Sequence, residues 1–180
     1  MKYYAYIINN EINGTGECFT TAEGLICYEI TEEVYNDIDR YIWDGSDVVL
    51  NPNYPEIVLQ QAKEAKYNEA LTGAKDFINN EASYQFDENN SIEATDGNIG
   101  KMTAYALGFQ TSTISKVYWT SKEDNVLELT AEDVLRILTG LGEIQGNIWN
   151  IRFVAYKNAI EQAQTVEEVN NIIIDYSEEQ

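Results

Sequence analysis

The longest apolar pattern in the chain covers residues 130–163 and constrains the fold more than any other feature. It opens with Thr130-Ala131-Glu132-Asp133, where a hydroxyl side chain suited to an N-cap precedes the acidic residues of a first helical turn. Apolar residues then recur at the spacing of one helical face. The pattern predicts a long core helix with Trp149 buried in the core. Three glycines near its start allow a kink or a break there: Gly140, Gly142 and Gly146.

The charge of the chain excludes several classes of function. Its 31 acidic and 11 basic residues give a net charge of −20. Proteins that bind nucleic acid need clustered Lys and Arg to displace phosphate counterions, so we predict no nucleic-acid partner. Anionic membrane surfaces are disfavoured for the same reason. No stretch approaches the roughly eighteen apolar residues of a membrane-spanning helix, and the first ten residues do not resemble a signal peptide.

The residue types available for catalysis are also limited. The chain has no histidine, which removes Ser-His-Asp and Cys-His nucleophile systems and the usual zinc ligand sets. Carboxylate pairs are numerous, but none lies in an apolar stretch that would raise one pKa for acid–base work. Cys18 and Cys27 lie outside a CxxC spacing, and we predict two buried, reduced thiols. We therefore predict no enzymatic activity, no catalytic residues, no cofactor and no metal.

Two short motifs resemble ligand loops but lack essential positions. A calcium loop starting at Asp87 would need Gly at its sixth position and Glu at its twelfth, where the chain has Ile92 and Asn98. Residues 87–90 are predicted to form a polar hairpin turn instead. Gly97-Asn98-Ile99-Gly100-Lys101 lacks the first Gly and the final Ser or Thr of a phosphate loop. A helix start capped by Thr95 or Asp96 accounts for this stretch.

Apolar periodicity and turn residues predict an α+β fold in three parts. Residues 1–54 form a small β-rich N-terminal module, residues 55–79 a linker helix, and residues 80–180 a mainly helical C-terminal domain with a β-hairpin. In the N-terminal module, strands are predicted at residues 3–8, 17–20, 25–30 and 47–50, with a helix from Thr31 to about Ile42. In the C-terminal domain, a strand is predicted at 84–86, helices at 96–107 and 165–174, and the hairpin at 115–120 and 126–129.

The linker helix and the aromatic residues before it supply the candidate contact surface. The second half of the helix has an apolar stripe that predicts docking on the C-terminal domain. Its first half has only a thin seam of apolar residues, and this half is either solvated or paired with another copy of the chain. Tyr41 and Trp43 belong to an aromatic-rich module, where they either fill a small core or form a protein-binding or glycan-binding face. The candidate partner or self-association residues are Val58, Ala62, Ala65, Tyr41 and Trp43.

Self-association is predicted to be weak. Copies that carry −20 repel each other, and a seam of about two turns buries too little to offset the several kcal/mol lost on association. We expect a monomer or weak association at micromolar concentration. A stable oligomer is expected only inside a larger particle.

Three stretches together resemble phage tail proteins. Tyr41-Ile42-Trp43-Asp44-Gly45, followed by Val49-Leu50-Asn51-Pro52-Asn53-Tyr54, resembles the end of small N-terminal modules in phage tail and prophage proteins. The chain from about Phe77 resembles an uncharacterised C-terminal domain of phage tail and tail-fibre-region proteins. That likeness is carried by Tyr84-Gln85-Phe86-Asp87, residues 92–101, Val117-Tyr118-Trp119 and the helix from Leu135 to Ile160.

The resemblance implies a bacteriophage or prophage structural protein that binds other tail or fibre proteins. It carries over no catalytic residue. The expected place is the virion, in the tail, baseplate, neck or fibre-attachment region, after synthesis in the host cytoplasm. The alternative is a cytoplasmic tail-fibre assembly chaperone that is absent from the virion.

Overall fold

The computed structural model describes residues 1–177 and has an α+β fold, with a β-rich N-terminal part followed by a mostly helical region. The chain divides into two compact units, Met1–Gln60 and Gln61–Gln180. This division falls inside the helix that the sequence predicts as a linker. That helix, α2, runs without interruption over Tyr54–Asn80.

A three-stranded antiparallel sheet forms the base of the N-terminal unit. Its strands are β1 (Tyr3–Ile8), β2 (Glu11–Gly16) and β3 (Leu25–Ile30), in the order β2-β1-β3. Asn9 and Asn10 both adopt positive φ, 52° and 69°, as a two-residue hairpin turn requires. The predicted strand at residues 17–20 is wrong. Because the turn at Asn9–Asn10 is so tight, pairing with β1 starts at once, at Glu11, and β2 ends before residue 17.

The second half of the N-terminal unit packs over one face of this sheet. Helix α1 (Glu32–Asn36) is followed by a 3₁₀ turn (Ile38–Arg40) and by a hairpin of β4 (Tyr41–Trp43) and β5 (Val48–Leu50). The predicted helix to Ile42 is therefore too long, although its N-cap is right, since Thr31 accepts a hydrogen bond from the Val34 amide at 3.2 Å. Ala5, Ile7 and Trp43 form the small core of this unit.

The C-terminal unit contains the rest of the elements. They are β6 (Ser83–Asp87), β7 (Asn90–Glu93), α3 (Asp96–Gln110), β8 (Val117–Thr120), β9 (Val126–Leu129), α4 (Ala131–Gly146), a π-helical segment (Asn147–Phe153), α5 (Val154–Gln162) and α6 (Val166–Asn170). The hairpins at β6–β7 and β8–β9 are antiparallel. The predicted hairpin turn after β6 is confirmed, and the last helix ends four residues earlier than predicted.

The core of the C-terminal unit forms around α4, as the apolar pattern predicts. Thr130 and Asp133 form a capping box at its start, in which each side chain accepts a hydrogen bond from the other residue's amide. Val134, Ile137 and Leu141 are fully buried against residues of β7, α3 and β9. Gly140 does not break the helix. An added Cβ there would lie 2.2 Å from Cδ2 of Tyr84, so this glycine makes room for the tyrosine ring.

Helical structure continues beyond α4, but its hydrogen-bonding pattern changes. From Asn147 to Phe153 the backbone is π-helical. Each turn there contains more residues than an α-helical turn, which changes the side of the helix on which the following side chains lie. Ile148 and Arg152 are the buried residues of this segment. Trp149 is less buried than predicted, although it packs against the buried cluster that includes Ile148. Its side chain is half-buried and contacts Phe153 edge-on, with ring centroids 5.5 Å apart.

Candidate functional site

The residues predicted to form a contact surface occupy different environments. Val58 and Ala62 are half-buried on α2, and Ala65 is exposed. Tyr41 is half-buried on β4. Trp43 is 9% exposed and packs edge-on against Tyr28 with ring centroids 5.1 Å apart. Trp43 therefore fills the small core of the N-terminal unit, which is one of the two roles predicted for it. Self-association through the apolar seam of α2 stays a prediction.

The docking of the second half of α2 is as predicted. Ala70, Ala74 and Ile78 are its buried residues. Lys63 donates a hydrogen bond to the main-chain carbonyl of Glu161 at 2.9 Å. Within the C-terminal unit, Lys63 therefore contacts the end of α5, and Ala74 and Ile78 pack with Ile148 of the π-helical segment.

A groove of about 690 Å³ lies where this part of α2 meets the π-helical segment. Its apolar lining includes Phe77 of α2 and Ile148 of the π-helical segment, while Ile151 is 61% exposed. Polar side chains, among them Glu81 and Asn147, form about half of the lining. The groove is therefore more polar than a typical small-molecule pocket.

Arg152 is the central polar residue of this groove. It is 9% exposed, and its two terminal nitrogens donate hydrogen bonds to main-chain carbonyls, one to Tyr176 and the other to Asp175 at 2.6 Å. The guanidinium carbon also lies 5.3 Å from the centroid of the Tyr176 ring. Nε of Arg152 is buried and has no hydrogen-bond partner among residues 1–177. A buried cation thus holds the final segment of the chain by its backbone.

Aromatic side chains hold the same segment from both sides. The Tyr156 hydroxyl donates to the Asp175 carbonyl at 2.6 Å and accepts from the Asp175 amide at 3.1 Å. The Tyr176 hydroxyl donates to the carbonyl of Ala70 at 3.0 Å. Burial raises the pKa of Tyr176 to about 12, so this hydroxyl keeps its proton to a higher pH than an exposed tyrosine does. These contacts hold residues 175 and 176 in a non-helical conformation beyond the end of α6.

The buried role of Arg152 is not among the predictions from the sequence, although the chain contains a signal for it. Ile148, Arg152 and Tyr156 are spaced by four residues, which puts the arginine on the same helical face as two apolar residues. A lone cation on an otherwise apolar face indicates a buried group with specific acceptors. The acceptors themselves are main-chain carbonyls, and their positions are not visible in the sequence.

A second polar network joins the two hairpins of the C-terminal unit. The Glu123 carboxylate accepts hydrogen bonds from the Ser91 amide at 2.8 Å and from its hydroxyl at 2.5 Å. These bonds lower the pKa of Glu123 to about 2. Asn90 is 9% exposed, donates to both carboxylate oxygens of Asp87 and accepts from Asn125. The arrangement fixes the two hairpin turns relative to each other.

The motifs that resemble ligand loops have local structural roles. The Asp87 carboxylate is engaged by the Asn89 amide and the Asn90 side chain within its own turn. Thr95 caps α3 by accepting from the Asn98 amide at 3.2 Å. Across residues 1–177, no three or more His, Cys, Asp or Glu side chains gather where they could hold a metal ion.

The two cysteines are free thiols in the N-terminal unit. Cys18 and Cys27 are not bridged, as predicted, but Cys18 is exposed and Cys27 half-buried, so their predicted burial is wrong. Cys18 lies in the loop after β2, where its carbonyl accepts a hydrogen bond from the Tyr6 hydroxyl at 2.7 Å.

In the part of the chain that the structure describes, no helix is both long and apolar enough to cross a membrane.

Comparisons with models of protein families, with curated proteins and with solved structures find no match to this chain.

Proposed function

We propose that this protein is a structural component of a bacteriophage or prophage virion, in the tail, baseplate, neck or fibre-attachment region, and that it acts by binding other proteins. The phage part of the proposal rests on the sequence resemblance of residues 41–54 and of the chain from Phe77. The binding part rests on one structural observation. Two compact units, each with its own apolar core, are joined by the single uninterrupted helix α2.

This arrangement suits a protein that contacts different neighbours through different units. A covalent helical connection makes the second contact intramolecular once the first has formed, which raises its effective concentration. The groove next to Arg152 supports a binding role as well. Its donors and aromatic side chains already hold the main chain of residues 175 and 176, which is the chemistry that polypeptide recognition uses.

Quantitative mass spectrometry of purified particles tests the proposal. The particles are taken from the phage or prophage that encodes the chain, and host cytoplasmic proteins in the same sample report contamination. We expect the protein at a fixed ratio to other tail proteins and well above that background. Abundance in the lysate with only background levels in particles would overturn the proposal in favour of the assembly chaperone.

A further inference from the structure

Strand β3 has an unprotected edge. In the described part of the chain it pairs only with β1, so its other side leaves main-chain donors and acceptors unpaired by any strand. Natural edge strands are usually protected from further pairing by charged side chains, above all Lys, by Pro or by a bulge. The β3 sequence, Leu-Ile-Cys-Tyr-Glu-Ile, contains neither Lys nor Pro and has Glu29 as its single charged residue, its β1 register has no shift, and Ile26 is 49% exposed.

The opposite edge of the same sheet is protected. Strand β2 contains Gly14 and Gly16, and its register with β1 shifts between Tyr6 and Ile7. Gly16 is also covered by the Tyr6 side chain, whose hydroxyl would lie 2.2 Å from an added Cβ. The two edges of one small sheet thus differ in their readiness to accept another strand.

A groove of about 460 Å³ lies beside the last part of β3. Tyr28 and Ile30, two residues apart on β3, point to the same side of the sheet and line it. Val34 of α1 and Val48 of β5 form the facing apolar wall. A strand added to β3 would place alternate side chains over this groove, because side chains on paired strands keep to the same faces.

Carboxylates surround this edge. Glu29 and Asp47 line the groove, and Glu32 and Glu33 follow directly in the first turn of α1. Residues 1–60 contain eleven acidic residues and two basic ones, Lys2 and Arg40. Both bases are engaged within the unit, Lys2 with Glu29 at 2.7 Å and Arg40 with Asp37 at 3.0 Å. The charge around the edge therefore repels a second copy and attracts a cationic chain.

We infer that β3 is a docking edge for an extended, basic segment of a partner protein, which adds to the sheet as a strand. Its main chain pairs with the free side of β3. Apolar side chains at alternate positions enter the groove between Tyr28 and Val48, and Lys or Arg at the other positions meet the acidic rim. This inference goes beyond the proposed virion role, since it names one surface and the chemistry of its partner, and it does not depend on that role.

Peptide binding tests the inference on the full-length protein. The probe is a fluorescent peptide of about six residues, the usual strand length, that alternates valine and lysine. Its control has the same side chains but carries N-methyl groups on alternate amides, which removes main-chain donors without changing charge. We expect saturable binding of the first peptide, weakened by salt, and at least tenfold weaker binding of the N-methylated one.

Variants locate the binding edge. Ile26→Lys puts a cation at an exposed position of β3, on the face that Tyr28 and Ile30 share, and should weaken binding at least tenfold, as edge lysines do in natural sheets. Glu33→Lys should weaken it as well, through the loss of charge complementarity. Val126→Lys is the matched control, because Val126 is a 71% exposed strand residue of the C-terminal unit, and it should bind like the wild type. Far-UV circular dichroism confirms that each variant is folded.

Three results would overturn the inference. The first is equal binding of both peptides, which would show attraction of charge without strand pairing. The second is wild-type affinity in Ile26→Lys or no binding to the wild type. The third is a dimer, detected by sedimentation, that Ile26→Lys abolishes, which would make a second copy the occupant. Because particle composition is measured separately, a protein present in virions that does not bind the peptide would refute only this docking edge.

Discussion

Two glycines in the same helix should respond in opposite ways to replacement by alanine. Gly140 and Gly142 both lie inside α4, where alanine is favoured over glycine by about 1 kcal/mol. At Gly142 an added Cβ meets no atom of the described residues within 4 Å. Gly142→Ala should therefore stabilise the protein by up to about 1 kcal/mol.

At Gly140 the same change meets the ring of Tyr84. The new Cβ would lie 2.2 Å from Cδ2, 2.3 Å from Cε2 and 2.9 Å from Cγ, whereas carbon atoms pack best at about 3.5–4.0 Å. Because Cγ is among the close atoms, rotating the outer ring cannot relieve the contact. Overpacking of this kind costs about 1–3 kcal/mol, and the two variants should differ by that amount, because the gain in helix propensity is common to both.

Urea unfolding, followed by circular dichroism and tryptophan fluorescence, measures both changes in free energy. A double-mutant cycle with Tyr84→Ala then isolates the contact. With the ring removed, Gly140→Ala should become neutral or stabilising. If Gly140→Ala stabilises the protein as much as Gly142→Ala, or if its cost is unchanged in the Tyr84→Ala background, the ring contact is not what keeps glycine at this position.

The remaining predictions concern the polar contacts of the C-terminal unit. Because the folded-state pKa of Glu123, about 2, lies below its ordinary value of 4.5, its bonds to Ser91 contribute stability above pH 4.5 that is lost as the pH falls towards 2. Glu123→Gln should therefore be less stable than the wild type at neutral pH, with the difference shrinking on acidification, as urea midpoints across that pH range would show. Arg152→Met keeps the apolar stem but loses the charged bonds to residues 175 and 176, so it should cost about 2–4 kcal/mol, and proteolysis near the end of the chain should speed up. Thr130→Ala should cost about 1 kcal/mol in thermal or urea unfolding by removing the cap of α4.

Elements whose signals are local could be predicted closely from the sequence. Strand β1 and strand β3 have the predicted bounds, and α2 begins and ends within one residue of its prediction. In each case the residues that favour the element and those that end it are adjacent in the chain. The cap of α4 at Thr130 is local in the same way, because a hydroxyl residue and an acid three positions later satisfy each other.

Elements that depend on a distant partner could not be predicted in this way. Asn13 and Gly14 favour a turn, but pairing with β1 holds them in β2, and a register shift accommodates them. Trp149 is less buried than predicted, whereas Arg152, for which the sequence predicts no role, is buried, because the π-helical segment changes which side of the helix faces α2 and residues 175 and 176. Nothing within the residues 147–153 themselves indicates where the carbonyls bound by Arg152 would lie.

The candidate surfaces follow the same division. The thin apolar seam at Val58 and Ala62 can be predicted from the sequence, since it depends only on helical spacing. The docking edge of β3 could not be found, because the free side of a strand is defined by the strands that do not pair with it. The sequence Leu-Ile-Cys-Tyr-Glu-Ile reads equally well as a central strand, and only the order β2-β1-β3 makes it an edge.

The net charge and the open edge of β3 become consistent when they are considered together. An unprotected, partly apolar edge normally invites pairing between copies of the same chain and hence aggregation. Here every copy carries −20, and the carboxylates concentrate next to the edge at Glu29, Glu32, Glu33 and Asp47. Charge therefore protects the edge from other copies without lysine, proline or a bulge in the strand. A cationic segment of a partner neutralises these carboxylates and can therefore pair with β3. The same carboxylates that keep copies of the chain from pairing thus favour a basic segment as the one that docks.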